Sequence, residues 1–199
     1  GVLLERWSDE FASVGRRFHI LDITSDLGIP TYCAVSYKDS GVGIGIGLGC
    51  HSNPAVAANR AISELNQFLA TVEGPQPLSV PRRVDLMARN WFENENICHH
   101  PHLIGTAASA CSWRSESLSQ NEWIEDELKR CVARLKDREV EVILVDLTRP
   151  ESPLHVVKAI SPQLRHFWPR FGPGRLHARA GSKSQEEVEA SFNKIPFFL

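Results

Sequence analysis

Residues 43–72 read GIGIGLGCHSNPAVAANRAISELNQFLATV and carry the strongest structural signal of the chain. Its first eight residues alternate glycine with larger residues, a period of two that predicts a β-strand with one bare face. Asn53 and Pro54 suit the N-cap and the first position of a following helix. Apolar residues then recur at three- and four-residue steps, at Ala58, Ala61, Ile62, Leu65, Phe68, Leu69 and Val72. The segment therefore predicts a strand, a turn and a long amphipathic helix packed on a core.

A polar stripe lies beside the apolar one on this predicted helix. Helical spacing points its four members the same way: Arg60, Ser63, Glu64 and Gln67. Serine, glutamate and glutamine offer hard oxygen donors of the kind that Mg²⁺ binds, and arginine suits bidentate contact with phosphate. The same spacing also fits an exposed Arg-Glu pair on a solvated face, so both interpretations stay open. A single carboxylate cannot hold Mg²⁺ securely, and a nucleotide site would need acidic residues from elsewhere.

The alternating glycines are open to two interpretations as well. A strand face without side chains lets either a ligand or another backbone approach closely. The run is not a dinucleotide fingerprint, because Leu48, Cys50 and Ser52 stand where GxGxxG would need glycine. The chain also contains no GxxxxGK[ST] phosphate loop.

Length and composition fit a globular α/β body. The chain has 199 residues, 42% of them hydrophobic and 23% charged, with a formal net charge of −2. This balance gives no electrostatic case for nucleic acid or an anionic membrane as the main partner. We expect neither a membrane span nor a signal peptide. The five cysteines are scattered without a CxxC pair, which fits a reducing cytoplasm.

Periodicity predicts further helices and strands on both sides of this stretch. Helices are expected at residues 4–16, 82–93, 122–136 and 186–192, and strands at residues 18–24, 30–37, 140–148 and 154–160. The strand at residues 140–148 is of the buried type, because it is nearly all apolar. We therefore expect an α/β fold of the mixed α+β kind, in which a β-meander leads into the long helix.

An internal echo relates two of the predicted strands. LDIT at residues 21–24 and VDLT at residues 145–148 share the pattern apolar-Asp-apolar-Thr, and a proline precedes the next strand in both cases. Two copies are compatible with coincidence and with two equivalent strand-turn-strand units. We favour the equivalent units.

Histidine-rich and arginine-rich segments complete the candidate sites. In CHHPHL, residues 98–103, the cysteine and histidines are adjacent rather than spaced like zinc ligands, so we expect an irregular loop near a substrate. The later arginines, Arg175 among them, suit contacts with phosphate or an acidic peptide, although isolated surface charges are usually solvated. No nucleophile elbow is present.

Several motifs in the same order resemble the YcaO family of ATP-dependent enzymes that activate peptide backbone amides. They are LDITSDLGIPTYCAVS (21–36), GIGLGCHSNPAVAANRAISELNQ (45–67), HHPHL (99–103), VDLTRPESPLHVVKAISPQLRHFWPRFGPGRL (145–176) and FNKIPFFL (192–199). The chain looks most like the D component of azoline-forming cyclodehydratases of the streptolysin S type. The resemblance implies a YcaO fold, with mixed and antiparallel strands packed against helices.

The resemblance also implies a reaction and its cofactors, ATP and Mg²⁺. In such enzymes a Cys, Ser or Thr side chain of a ribosomal precursor peptide attacks the preceding carbonyl, and ATP-dependent loss of the oxygen leaves a thiazoline or oxazoline. By similarity, Glu64 is a Mg²⁺ ligand, while Ser63 and Gln67 lie beside it in the nucleotide site. Arg60 and Arg175 are then candidate nucleotide contacts. A leader-binding C component, separate or fused, is the implied partner, and a homodimer stays open.

Two departures from the family pattern qualify these expectations. The earlier SxxxExxER motif is absent, so residues 1–199 correspond to the C-terminal part of a YcaO domain whose N-terminal half is missing. The fragment alone is then expected to be inactive, and a catalytically incomplete binding or scaffold module is the alternative. Of the proline-rich PxPxP ending, only Pro196 remains. The carboxylate of Leu199 is a candidate general base beside it, and thioamide or amidine formation is a second alternative reaction.

Overall fold

A computed structural model describes residues 2–73, 83–105, 124–164, 175 and 184–190 of the chain. The chain divides into two compact units, Gly1–Glu122 with Ile195–Leu199, and Trp123–Lys194. No helix within the described ranges is both long enough and apolar enough to cross a bilayer. The fold is mixed α/β, with antiparallel strands and packed helices, as the sequence predicts.

The first unit is built on a three-stranded antiparallel meander. Its strands are β1 (Arg16–Asp22), β2 (Thr31–Lys38) and β3 (Gly45–Cys50), and they lie side by side in that order. Its helices are α1 (Val2–Ser13), α2 (Pro54–Glu73) and α3 (Arg83–Asn94), followed by 3₁₀ turns at Ile97–His99 and Pro101–Leu103. The predicted meander leading into the long helix is therefore confirmed.

Apolar side chains cover both faces of this sheet. One cluster joins α1, α2 and α3 to β2, and the other lies under β2 and β3 around Trp91, Ile97 and Leu103. Ala34 and Val35, neighbours on the central strand β2, are fully buried on opposite faces. The sheet is thus the middle layer of the first unit.

The bare glycine face of β3 is where the helix α2 backbone packs. A Cβ atom added at Gly47 would overlap the Ala61 carbonyl oxygen and the Leu65 amide nitrogen, and one at Gly49 would overlap the Ala57 carbonyl oxygen. Of the two interpretations of the glycine run, close approach by another backbone is therefore correct here. The missing side chains let helix and strand touch main chain to main chain.

The segment that enters β3 is held by α3. The Gly43 N–H donates to the Phe92 carbonyl oxygen at 2.9 Å. The indole Nε1 of Trp91 donates to the Ile44 carbonyl oxygen at 3.1 Å. Gly43 has a φ of +72°, which glycine adopts without strain. These bonds fix where β3 begins, and so also where its far end meets α2.

The second unit contains a helix-hairpin pair. Its elements are α4 (Ile124–Lys136), β4 (Ile143–Asp146), β5 (Val157–Ile160) and α5 (Gln185–Ala190), and β4 pairs antiparallel with β5. The predicted buried character of the strand at residues 140–148 is wrong, because Leu144 is 64% exposed and Ile143 is 43% exposed. Among the described residues, no third strand pairs with this hairpin.

The internal echo is confirmed, because the two segments share their hydrogen bonds as well as their sequence pattern. The Thr24 N–H donates to Asp22 Oδ1 at 2.9 Å, and the Thr148 N–H donates to Asp146 Oδ1 at the same distance. Each threonine Oγ1 then accepts from the N–H at the start of the returning chain, Thr31 in the first hairpin and Val156 in the second, at 3.0 and 3.1 Å. The two units therefore carry equivalent strand-turn-strand motifs.

Candidate functional site on helix α2

Helix α2 begins where the sequence predicts. Asn53 Oδ1 accepts from the N–H of Ala55 at 2.9 Å and from the N–H of Val56 at 3.4 Å, which caps the first turn. Pro54 occupies the first helical position. Because this start fixes the rotation of the helix, the apolar stripe faces the sheet and the polar stripe lies beside it.

The four residues of the polar stripe line one open depression of about 420 Å³. Its lining is Val56, Asn59, Arg60, Ser63, Glu64 and Gln67. The structure thus brings together Arg60, Ser63, Glu64 and Gln67. Asn59 is a lining residue that the sequence interpretation missed, although it stands one helical turn before Ser63 and so shares its face.

Two side chains in this depression are anchored to the backbone of β3. The Glu64 carboxylate accepts a hydrogen bond from the Leu48 N–H. Arg60 Nη1 donates to the Cys50 carbonyl oxygen at 3.1 Å. β3 is an edge strand, so these two backbone groups face away from β2 and lie open to α2. Neither anchor follows from spacing along the helix alone.

The negative charge of Glu64 affects the pKa of a cysteine on the neighbouring strand, β2. Burial raises the pKa of the Cys33 thiol to about 12, and the nearby negative charge of Glu64 adds to the rise. Cys33 pairs with Leu48 in the β2–β3 register, which places the thiol one strand away from the residue that binds the carboxylate. A cation bound at Glu64 would oppose this effect, because it would offset the negative charge.

The donor set suits a magnesium-bound phosphate. The depression offers one carboxylate, one hydroxyl and two side-chain amides, all hard oxygen donors, together with one guanidinium. Within the described ranges, no group of three or more His, Cys, Asp or Glu residues is arranged to hold a metal ion. Additional acidic ligands would therefore have to come from outside these ranges.

The remaining predicted site residues stay predictions. Arg175 is half-buried in the second unit, and its role at the nucleotide stays a prediction. Pro196 and Leu199 lie outside the described residues. In the histidine loop, His100 is fully buried, with Nε2 at 3.2 Å from a carboxylate oxygen of Glu95. Its proximity to a substrate stays a prediction.

Comparison with known proteins agrees with the motifs. A family model described as "YcaO cyclodehydratase, ATP-ad Mg2+-binding" matches residues 3–165. An uncharacterized protein of Methanothermobacter thermautotrophicus is 28% identical over 165 residues, which are 80% of this chain and 42% of the relative.

Two solved structures have a similar fold. A heterocyclase in complex with substrate and cofactor has a TM-score of 0.73 at 29% identity, over 89% of this chain and 24% of that chain. The heterocyclase TruD has a TM-score of 0.69 at 29% identity, over 99% of this chain and 26% of that chain.

This chain therefore spans less than half of the curated relative and about a quarter of each heterocyclase. The family match nevertheless covers most of its length, and it confirms the membership that the motifs predict. The chain belongs to the YcaO cyclodehydratase family.

Proposed function

We propose that this chain forms one wall of the ATP and Mg²⁺ site of a cyclodehydratase that makes thiazoline and oxazoline rings in a ribosomal precursor peptide. The observation that carries the proposal is the shared depression on α2, in which Glu64, Ser63, Gln67 and Arg60 converge. Family membership supports it, because the family description includes ATP and Mg²⁺. The two heterocyclase neighbours support a ring-forming reaction.

Each residue has a distinct part in this proposal. Glu64 would hold Mg²⁺, while the neighbouring hydroxyl and amide oxygens orient the waters of its coordination shell. Arg60, held by the Cys50 carbonyl, would contact phosphate oxygens. When bound, ATP would supply the phosphoryl group that makes the peptide oxygen a leaving group, with ADP as the other product.

The peptide chemistry balances as the loss of one water per ring. The Cys, Ser or Thr side chain forms a bond to the preceding carbonyl carbon and gives up its proton. The carbonyl oxygen departs as part of phosphate, and the backbone nitrogen loses its proton as the C=N bond forms. The general base for these proton transfers is proposed to be the Leu199 carboxylate, positioned by Pro196.

The rest of the site is proposed to come from other parts of a complete YcaO domain. Residues 1–199 then act as its C-terminal part, with Arg175 as a further nucleotide contact. A leader-binding C component would present the precursor peptide. The described cysteines are free thiols, which fits a cytoplasmic enzyme supplied with ATP.

Mass spectrometry of a precursor peptide tests this function. The complete natural protein and its leader-binding partner are incubated with a Cys-containing precursor, with and without ATP. We expect an ATP-dependent loss of one water and of one alkylatable thiol per ring. Replacement of oxygen by sulfur would instead indicate thioamide formation. In a precursor whose modified region contains Cys but no Ser or Thr, water loss with all thiols retained would indicate an amidine. Peptide binding without any mass change would favour the scaffold module and overturn the proposal.

A further inference from the structure

The outer edge of β3 and the residue before it offer backbone groups to side chains of α2 and α3. Three outward contacts fall on residues of the same parity. Ile44, just before β3, accepts from the Trp91 indole on α3. Leu48 donates to Glu64, and Cys50 accepts from Arg60. This parity is that of an antiparallel edge strand, on which alternate residues point both backbone groups away from the ladder. The Leu48 N–H is therefore not needed for pairing with β2.

The glycines between these residues let the helix come near enough. Gly47 and Gly49 flank Leu48, and α2 packs its own backbone against both of them. Side chains in place of these glycines would hold α2 farther from β3, and the Glu64 side chain would then stop before the strand edge. The hydrogen bond between Glu64 and Leu48 therefore depends on the bare glycine face of β3.

We propose that the Leu48 N–H is a positioning group for the metal site, fixing one oxygen of the Glu64 carboxylate so that the other is presented to Mg²⁺. The inference rests on the proposed function and deepens it. It gives the alternating glycines a role in the site, because they bring the carboxylate within reach of this donor. A hydrogen bond to a charged group holds its acceptor more firmly than a neutral one does.

Fixing the carboxylate matters because Glu64 is exposed on the helix surface. A free glutamate samples several rotamers, and ordering it on metal binding costs affinity. A carboxylate already bound to the strand has lost this freedom before the metal arrives. Outer-shell hydrogen bonds of this kind commonly change metal affinity by about 10- to 100-fold.

The test removes the Leu48 N–H while keeping the strand. Leu48→Pro deletes the donor, and proline is tolerated on edge strands where the N–H points away from the ladder. Leu48→Ala is the matched control, because it shortens the same half-buried side chain but retains the N–H. Mn²⁺ affinity in the presence of ATP is measured for both variants in the complete natural protein, together with the thermal midpoint.

We expect Leu48→Pro to bind Mn²⁺ about tenfold more weakly than Leu48→Ala, as for the loss of one charge-assisted hydrogen bond. At saturating Mg²⁺ the rate of ring formation should recover, because a positioning defect in metal binding is overcome by mass action. If the Leu48 N–H had only a structural role, Leu48→Pro would lower both the rate of ring formation and the thermal midpoint, and added Mg²⁺ would not restore the rate. Equal Mn²⁺ affinities of the two variants would overturn the inference.

Two further variants keep each outcome decisive. If Leu48→Pro does not fold, the α-hydroxy acid analogue of leucine at position 48 removes the N–H without the proline ring, and its Mn²⁺ affinity decides. Glu64→Gln separates the two proposals. Lost Mn²⁺ binding in Glu64→Gln with unchanged binding in Leu48→Pro would refute only the positioning role. Unchanged binding in Glu64→Gln would overturn both the metal assignment and the positioning role.

Discussion

The two hairpins of this chain share a turn but differ in their surroundings. In both, an aspartate accepts from the threonine N–H two residues on, and the threonine oxygen accepts from the returning strand. In the first unit β2 gains a third strand and a covering helix, whereas the hairpin of the second unit is largely exposed. The register makes Ala34 and Ala159 equivalent, each opposite an apolar residue on the preceding strand.

This difference separates structure that local sequence specifies from structure that depends on packing with distant elements. The hydrogen bonds of the turns are made within about ten residues, so the short apolar-Asp-apolar-Thr motif is enough to specify them. Burial depends on elements supplied from farther along the chain. Among the described residues, it is extensive in the first hairpin and slight in the second. Changes in the turn should therefore act alike in both units, and changes on the strand faces should not.

The largest expected contrast comes from a charge placed at the equivalent alanines. Ala34 is fully buried, so Ala34→Asp should destabilise the first unit by at least about 4 kcal/mol, because a buried unpaired carboxylate is strongly unfavourable. Ala159 is exposed, and Ala159→Asp should change stability by less than about 0.5 kcal/mol. Chemical denaturation monitored separately for each unit measures both. Similar losses would show that the two strand faces are equally covered.

Thiol reactivity offers the next contrast. Cys33 and Lys158 are equivalent positions in the two hairpins, each one residue before the alanine just discussed. The pKa of Cys33 is raised to about 12 from an ordinary 9.0. At pH 8 its thiolate should be roughly a thousandfold scarcer than that of an ordinary cysteine. Alkylation of Cys33 should be slow by at least that factor, whereas a Lys158→Cys variant should react at an ordinary rate. Peptide-resolved alkylation kinetics measure both sites, and rapid native labelling of Cys33 would contradict its burial.

A smaller effect, equal in the two units, is expected from the turn threonines. Thr24→Val and Thr148→Val each remove the acceptor of one backbone N–H while keeping the side-chain shape. Thr148→Val also removes the hydroxyl that donates to Asp146. Each should weaken the local structure by about 1 kcal/mol, which raises exchange of the Thr31 or Val156 amide by about fivefold. Hydrogen exchange resolved by NMR reports both amides. A change at one amide without the other would break the equivalence of the turns.

The mildest effect concerns the acid sensitivity of the second turn. Hydrogen bonds from the Thr148 hydroxyl and N–H lower the pKa of Asp146 below its ordinary 3.8. The stabilisation is complete above pH 3.8 and is lost as the pH falls through the lowered pKa. The Thr148 amide shift should therefore titrate with a midpoint below 3.8, and Thr148→Val should move that midpoint upward. A wild-type midpoint at or above 3.8 would refute the bond.

Local signals explain which features were predictable from sequence. Asn53, Pro54 and the apolar steps after them specify α2 within one segment, so its start and its polar face were predicted correctly. The Leu48 and Cys50 anchors were not, because they depend on the register between β3 and α2 that only the folded unit sets. The apolar run at residues 140–148 indicated burial, yet an apolar strand is buried only where another element covers it. Arg175, Pro196 and Leu199 stay predictions.

The most direct test of the central claim, that Glu64 belongs to a Mg²⁺ and ATP site, is the Mg²⁺ dependence of ring formation by the complete enzyme carrying Glu64→Gln. The control is Glu10→Gln on α1, whose carboxylate makes a surface pair with Arg6. We predict that Glu64→Gln lowers ring formation at least about tenfold at limiting Mg²⁺, with an unchanged thermal midpoint, while Glu10→Gln behaves as wild type. Ring formation by Glu64→Gln at the wild-type rate and with wild-type Mg²⁺ dependence would contradict it.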